Sequence, residues 1–168
     1  GEIAAIKMIL PAAPPSRTGL AKFLREAAIV RELDHPNVVR YLDAGTEGTI
    51  WFAMEFVDGE DASRIAQRES RLPIRRAVDW TLQLLAALSY AHAKGFVHRD
   101  VKPSNLLVCR QSGREVVKLA DFGLARAYEA SSFSGLTLTG AAGGTPQFMP
   151  PEQVLDMRSA QPAADQYA

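Results

Sequence analysis

The segment AVDWTLQLLAALSYAHA, residues 77–93, is the most apolar stretch of the chain and sets what must fold around it. It contains Asp79, Gln83 and His92 and falls short of the roughly 20 apolar residues a bilayer crossing requires, so it reads as a core helix. The spacing predicts a start near Pro73 and Ile74, a buried stripe of Val78, Leu82, Leu85 and Leu88, and a C-terminal stop at Gly95. Directly behind it stands HRDVKPSN, residues 98–105, which crowds His98, Arg99, Asp100, Lys102 and Asn105 into one short polar stretch.

A buried helix needs partners, and 168 residues at 47% hydrophobic are enough for one domain with a core. Lysine plus arginine and aspartate plus glutamate total 19 each, so no global field draws the chain to nucleic acid or to an anionic membrane. Any phosphate chemistry must be local. The lone Cys109 excludes an internal disulfide framework and fits a reducing compartment. No signal peptide opens the chain; GEIAAIKMIL reads as the middle of a strand, which suggests a fragment.

Residues 2–10 are predicted to form a strand, ended by the proline cluster PAAPP at 11–15. LAKFLREAAIVREL, residues 20–33, has helical spacing, with Phe23, Ala27, Val30 and Leu33 on one face, and stops before Pro36. VVRYLDA (38–44) and IWFAMEFV (50–57), joined by GTEGT, read as a hairpin, after which DGED opens a less regular polar stretch. LLVC and VVKLA are two further strands flanking the turn RQSGRE. Beyond Asp121 the sequence is rich in serine, threonine, glycine and proline as far as Pro151, too long for an idle connection and so either functional or mobile. Strands first and helices later predict an α+β architecture of two lobes around a cleft.

Lys7 shares a strand face with Ala5 and Ile3, and Glu26 shares a helix face with Phe23 and Val30. A lone buried charge is costly, so the two either pair on facing apolar surfaces or form a partly exposed pair with snorkelling stems. Asp100, Lys102 and Asn105, presented on a loop between helix and strand, can orient a hydroxyl, neutralise a phosphate and coordinate magnesium; the alternative is a solvated polar loop. Asp121, in ADFGLAR (120–126), follows an apolar strand and with Asn105 offers oxygen ligands to a hard cation.

AAIK (4–7), Glu26 in FLREAAIV, HRDVKPSN, DFG and GTPQFMPPEQ (144–153) stand in the order, and at about the distances, of the eukaryotic-type protein kinase superfamily, which the whole chain resembles. The fixed letters of the catalytic and DFG motifs alone make coincidence rarer than about one in a million. The resemblance is to the Ser/Thr branch, through Lys102 in DVKPSN and Thr145 in GGTPQF, and to the style of bacterial receptor-type kinases. It implies a partial kinase domain over 1–168, truncated at both ends and by itself weakly active or inactive. Residues 1–57 would be a small β-rich N-lobe and hinge without the glycine-rich loop strands, and 58–168 the first part of a helical C-lobe without its last helices. It also implies ATP and Mg2+, protein substrates with Ser/Thr acceptors, no nucleic acid, no membrane contact from this segment, and a location in the cytoplasm, either free or as the cytoplasmic domain of a membrane protein whose anchor lies outside this segment. Dimerisation for trans-autophosphorylation is compatible with it.

By the same resemblance, Lys7 would contact the α- and β-phosphates with Glu26 positioning it. Asp100 would take or orient the proton of the attacking hydroxyl, Lys102 would steady the γ-phosphate, and Asn105 and Asp121 would hold magnesium. Adenine would lie between Ala5 and Leu107, hydrogen-bonded by the backbone of Glu55 and Val57, with Met54 behind. His98, Phe122, Val30 and Tyr41 would stack through both lobes, and Asp165 would brace the catalytic loop. Lys22, Arg99 and Arg126 would form a pocket for a phosphate on Thr137 or Thr139, while Glu152 would pair with an arginine outside this segment. A pseudokinase scaffold and a small-molecule phosphotransferase are the rival readings; the first conflicts with Lys7, Asp100, Asn105 and Asp121, the second with GTPQFMPPE.

Overall fold

In the computed structural model, residues 3–9, 17–47, 49–122, 146–155 and 161–168 are described, and they fall into two compact units. The first comprises residues up to 34 together with 40–56, and the second residues 35–39, 57–122 and the described residues from 146 onward.

In the first unit, strand β1 (Ala4–Ile9) pairs antiparallel with β3 (Ile50–Glu55), which pairs antiparallel on its other edge with β2 (Tyr41–Gly45). Tight β2–β3 approach explains the glycine at 45, where a Cβ would sit 2.6 Å from the Trp51 ring. Helix α1 (Arg17–Val30) buries Phe23, Ala27 and Val30, the face its spacing predicts, and Leu33 just beyond it is also buried. On the sheet, the Tyr41 and Phe52 rings meet at a 35° tilt with centroids 5.6 Å apart. The second arm of the expected hairpin is present, but Val38 and Val39 do not belong to its first arm. They belong to the second unit, where Val38 forms a parallel bridge with Leu119 and both side chains are fully buried.

The second unit holds β4 (Gly59–Asp61), α2 (Ala62–Glu69), α3 (Ile74–Ala93), β5 (Leu106–Gln111), β6 (Arg114–Leu119), α4 (Pro151–Leu155) and α5 (Pro162–Tyr167). Its sheet runs β4-β5-β6, antiparallel throughout. The stretch from DGED, expected to be irregular, is β4 followed by α2: Asp61 caps the helix, its Oδ1 accepting from Arg64 N at 3.0 Å. The β5–β6 turn uses Ser112 and Gly113, both with positive φ (49° and 80°), the backbone twist a two-residue hairpin favours.

The α3 stripe requires correction. Leu88 is buried, but Val78, Leu82 and Leu85 are 51%, 61% and 47% exposed, and the residues α3 buries are Trp80, Ala87, Leu88 and Ala91. At about 100° per residue, Trp80, Ala87 and Ala91 lie roughly opposite Val78. The sheet packs on that opposite side, where Trp80 joins Ala62, Ile65, Val108 and Val117 in one cluster. Among the described residues no helix is long and apolar enough to cross a membrane.

Candidate active site

Helix α3 stops where Gly95 takes φ 82°, its N–H and that of Phe96 each donating at 2.9 Å to the carbonyls of His92 and Ala91. The chain then enters an open loop whose backbone is tied down by side chains. Asp165, 4% exposed at the start of α5, accepts from His98 N (2.8 Å) on Oδ2 and from Arg99 N (2.7 Å) on Oδ1. Its Oδ2 also lies 2.7 Å from His92 Nε2. Gln153 of α4, 2% exposed, donates to the Arg99 carbonyl at 2.7 Å. Arg99 holds φ 66°, a left-handed conformation that costs a non-glycine residue about 1–3 kcal/mol, and bonds from both α4 and α5 keep it there.

His98 is fully buried. Its Nδ1 accepts from Asp100 N at 3.2 Å and its Nε2 lies 2.8 Å from the Ala120 carbonyl, so the ring is neutral with the proton on Nε2. Burial pushes its pKa down, against the opposing pull of the Ala120 carbonyl and of nearby Asp165, Asp100 and Asp121. Phe122 meets the same ring edge to face, centroids 4.7 Å apart.

These ties aim Asp100. Its Oδ2 lies 3.0 Å from Lys102 Nζ and 3.2 Å from Asn105 Nδ2, and Asn105 Nδ2 also donates to the Asp100 carbonyl at 2.8 Å. Asn105 closes the one-turn 3-10 helix Pro103–Asn105, and its own carbonyl accepts from Ala120 N at 2.9 Å. The residue after Ala120 is Asp121, with φ 63°. With Nδ2 committed, the amide Oδ1 of Asn105 is the atom left to face a cation.

An amide oxygen and a carboxylate are the hard donors that suit Mg2+, and no cluster of three or more histidine, cysteine or acidic residues competes as a metal site among the described residues. Two protein oxygens, completed by phosphate and water, is a habitual Mg2+ arrangement, so the donor set fits.

The remaining expected nucleotide residues divide between the units. Ala5 and Lys7 lie on one face of β1; Ala5 is in register with Met54 and Lys7 with Phe52, whose ring centroid is 6.0 Å from Nζ. Lys7 is half-buried. Glu55 ends β3, donating its N–H to the Arg40 carbonyl (2.9 Å) while its Oε1 accepts from Arg40 N (2.8 Å). Val57 and Leu107, both half-buried, belong to the second unit. Arg99 is exposed, as is Glu152. The side chains of Glu26 and Lys22, and Arg126, Thr137 and Thr139 altogether, lie outside the described residues. Gln153 was not anticipated; the signal available was its place directly after the PPE triplet.

The description "Protein kinase domain" matches residues 1–168. Serine/threonine-protein kinase pkn3 of Myxococcus xanthus is 41% identical over 148 residues, covering 83% of this chain and 27% of that protein. PknJ of Mycobacterium tuberculosis is 44% identical over 134 residues, 79% of this chain and 22% of its own. The chain thus spans about a quarter of the length of these curated relatives. Among solved structures, the PknI kinase domain of Mycobacterium tuberculosis superposes with a TM-score of 0.73 at 30% identity, over 98% of this chain and 59% of that one. Rad53 in complex with AMP-PNP gives 0.73 at 26%, over 98% and 38%. With the kinase motifs carried on this two-unit α+β fold and the match running from end to end, the chain belongs to the protein kinase domain family.

Proposed function

We propose that this chain is the core of an ATP-dependent protein serine/threonine kinase, carrying the γ-phosphoryl group of ATP to Ser or Thr hydroxyls of protein substrates. The observation that carries this reading is the arrangement of Asp100 Oδ2 against both Lys102 Nζ and Asn105 Nδ2, on a loop bonded through Asn105 to the residue before Asp121. The acceptor hydroxyl would give its proton to the Asp100 carboxylate as its oxygen bonds to the γ-phosphorus. The bond from that phosphorus to the β,γ-bridging oxygen breaks, and ADP leaves with the electron pair. Lys102, beside the carboxylate, is placed to steady the transferring group, and such positioning and charge stabilisation supply most of the catalysis in phosphoryl transfer.

When bound, Mg2+ would offset the charge of the phosphates, held by Asn105 and Asp121. Lys7 is assigned to the α- and β-phosphates with Glu26 as its positioner, and Ala5, Met54, Glu55, Val57 and Leu107 to the adenine, all on the motif match. Lys22, Arg99 and Arg126 are assigned to a phosphate on Thr137 or Thr139, on a chain proposed to work in the cytoplasm. Incubating the full chain with labelled ATP and Mg2+, and comparing casein-like proteins with small alcohols as acceptors, tests the reading. Label should enter serine and threonine of protein, and Asp121→Ala should abolish it. Transfer to alcohols alone, or transfer that survives Asp121→Ala, would reject the assignment.

A further inference from the structure

We propose that Gln83, in the middle of α3, is a positioning residue that sets β6 and therefore the placement of Asp121; this rests on the kinase reading above. Strand β6 has β5 on one edge. The other edge faces no strand at Glu115 and Val117, yet three backbone groups there, the Glu115 carbonyl and the Val117 N–H and carbonyl, are answered by side chains. Gln83 Nε2 donates to the Glu115 carbonyl at 3.2 Å, and Gln83 Oε1 accepts from Val117 N at 2.8 Å. Asn37 Nδ2 donates to the Val117 carbonyl at 2.8 Å and to Gln83 Oε1 at 2.9 Å. From there backbone takes over: Leu119 N donates to the Asn37 carbonyl (2.8 Å) and Val39 N to the Leu119 carbonyl (2.9 Å).

Two side-chain amides thus stand in for a strand over half the edge and hand over to residues 37–39 for the rest. Gln83 has no spare capacity, since its second Nε2 proton goes to Asp79 Oδ2 at 2.9 Å. Two residues beyond Leu119 comes Asp121, already in a left-handed backbone conformation. The buried face of Val117 and Leu119 already specifies register, and the edge bonds set how firmly the strand is held, so removing the Gln83 amide loosens it just ahead of the strained residue.

The test compares the full chain with its Gln83→Leu variant. Hydrogen exchange at the Leu119 and Val39 amides is the first readout, because neither touches Gln83 directly. Both should lose protection while β4–β5 amides keep theirs. The second is the Mg2+ concentration for half-maximal binding of a non-hydrolysable ATP analogue, which should rise about tenfold, the scale expected when support for a metal ligand is removed. If Gln83→Leu fails to fold, the double variant Gln83→Glu with Asp79→Asn decides instead. It gives up the 3.2 Å bond to the Glu115 carbonyl but keeps an acceptor for Val117 N and Asn37 and reverses the donor to residue 79, so it should retain protection at Leu119 and near-native Mg2+ dependence. Unchanged Leu119 exchange, uniform loss of protection across the unit, or unaltered Mg2+ dependence in a folded Gln83→Leu chain overturns the inference. An unsubstituted chain without Mg2+-dependent nucleotide binding or transfer would instead reject the kinase reading, leaving the exchange result to judge Gln83's hold on the strand.

Discussion

His98 couples pH to the 98–105 loop through a single ring. Its neutral Nδ1 is the acceptor for Asp100 N, so a proton added there removes that acceptor and places a charge in a fully buried site. Burial holds the folded pKa below the ordinary 6.5, so as pH falls through 6.5 the unfolded chain takes up a proton that the folded chain refuses. Stability from this group is therefore complete above pH 6.5 and is lost below it, at up to about 1.4 kcal/mol per pH unit. His35, depressed by burial and then by Lys118, contributes in the same direction. Replacing His98 by glutamine keeps a donor for the Ala120 carbonyl and an acceptor for Asp100 N without the titration. We expect urea midpoints at pH 7.5, 6.5 and 5.5 to fall with acidity in the native chain and to fall less steeply in His98→Gln. Equal slopes would show that His98 is not the titrating group.

Helix α3 and strand β6 are joined by a polar clamp as well as by the core. Glu115 takes Arg76 in two-pronged fashion, Nη2 to Oε1 at 2.7 Å and Nε to Oε2 at 2.8 Å, and its Oε2 also accepts from Trp80 Nε1 at 2.9 Å. Arg76 lies over the Trp80 ring as well, 4.7 Å from its centroid. Both charged side chains are about a quarter exposed (24% and 23%), between the surface pairs worth under about 1 kcal/mol and buried pairs whose rupture costs about 3–5. Arg76→Met should cost about 2 kcal/mol and Trp80→Phe, which loses only the N–H, about 1, read from denaturant unfolding. A neutral Arg76→Met would mean that solvent replaces the clamp. None of this was legible in the sequence, because Arg76 and Glu115 are far apart along it and nothing local marks them as partners. β1, β3, β5, β6, α1 and the β5–β6 turn were legible, since alternation, helical spacing and the glycine at 113 each act locally, whereas β4 and α2 were not, being short and polar. The buried side of α3 was misjudged because the helix is apolar on two opposite sides, and periodicity alone does not say which side meets the sheet.

At the scale of the molecule, the residues proposed for catalysis stand out in the letters because motif order survives the distance between them, whereas the supports proposed for them, Gln83, Asn37 and Gln153, are single amides with no pattern of their own. The same scale exposes a surface problem. Ile74, Val78, Leu82 and Leu85 form a stripe along α3, 83%, 51%, 61% and 47% exposed, while Ile6 and Met8 stand 66% and 63% exposed on β1. Contiguous apolar surface on this pattern favours association over dispersal in water. The 168-residue chain should therefore brighten an apolar dye such as ANS and self-associate at micromolar concentration, measured by fluorescence and light scattering. Val78→Lys together with Leu82→Glu should reduce both signals while changing unfolding free energy by no more than about 0.5 kcal/mol per site, as for other surface substitutions. A monodisperse, dye-dark native chain would show the stripe to be covered. A large loss of stability in the double variant would place those side chains in a core, and the exposed face of α3 would then have to be reassigned.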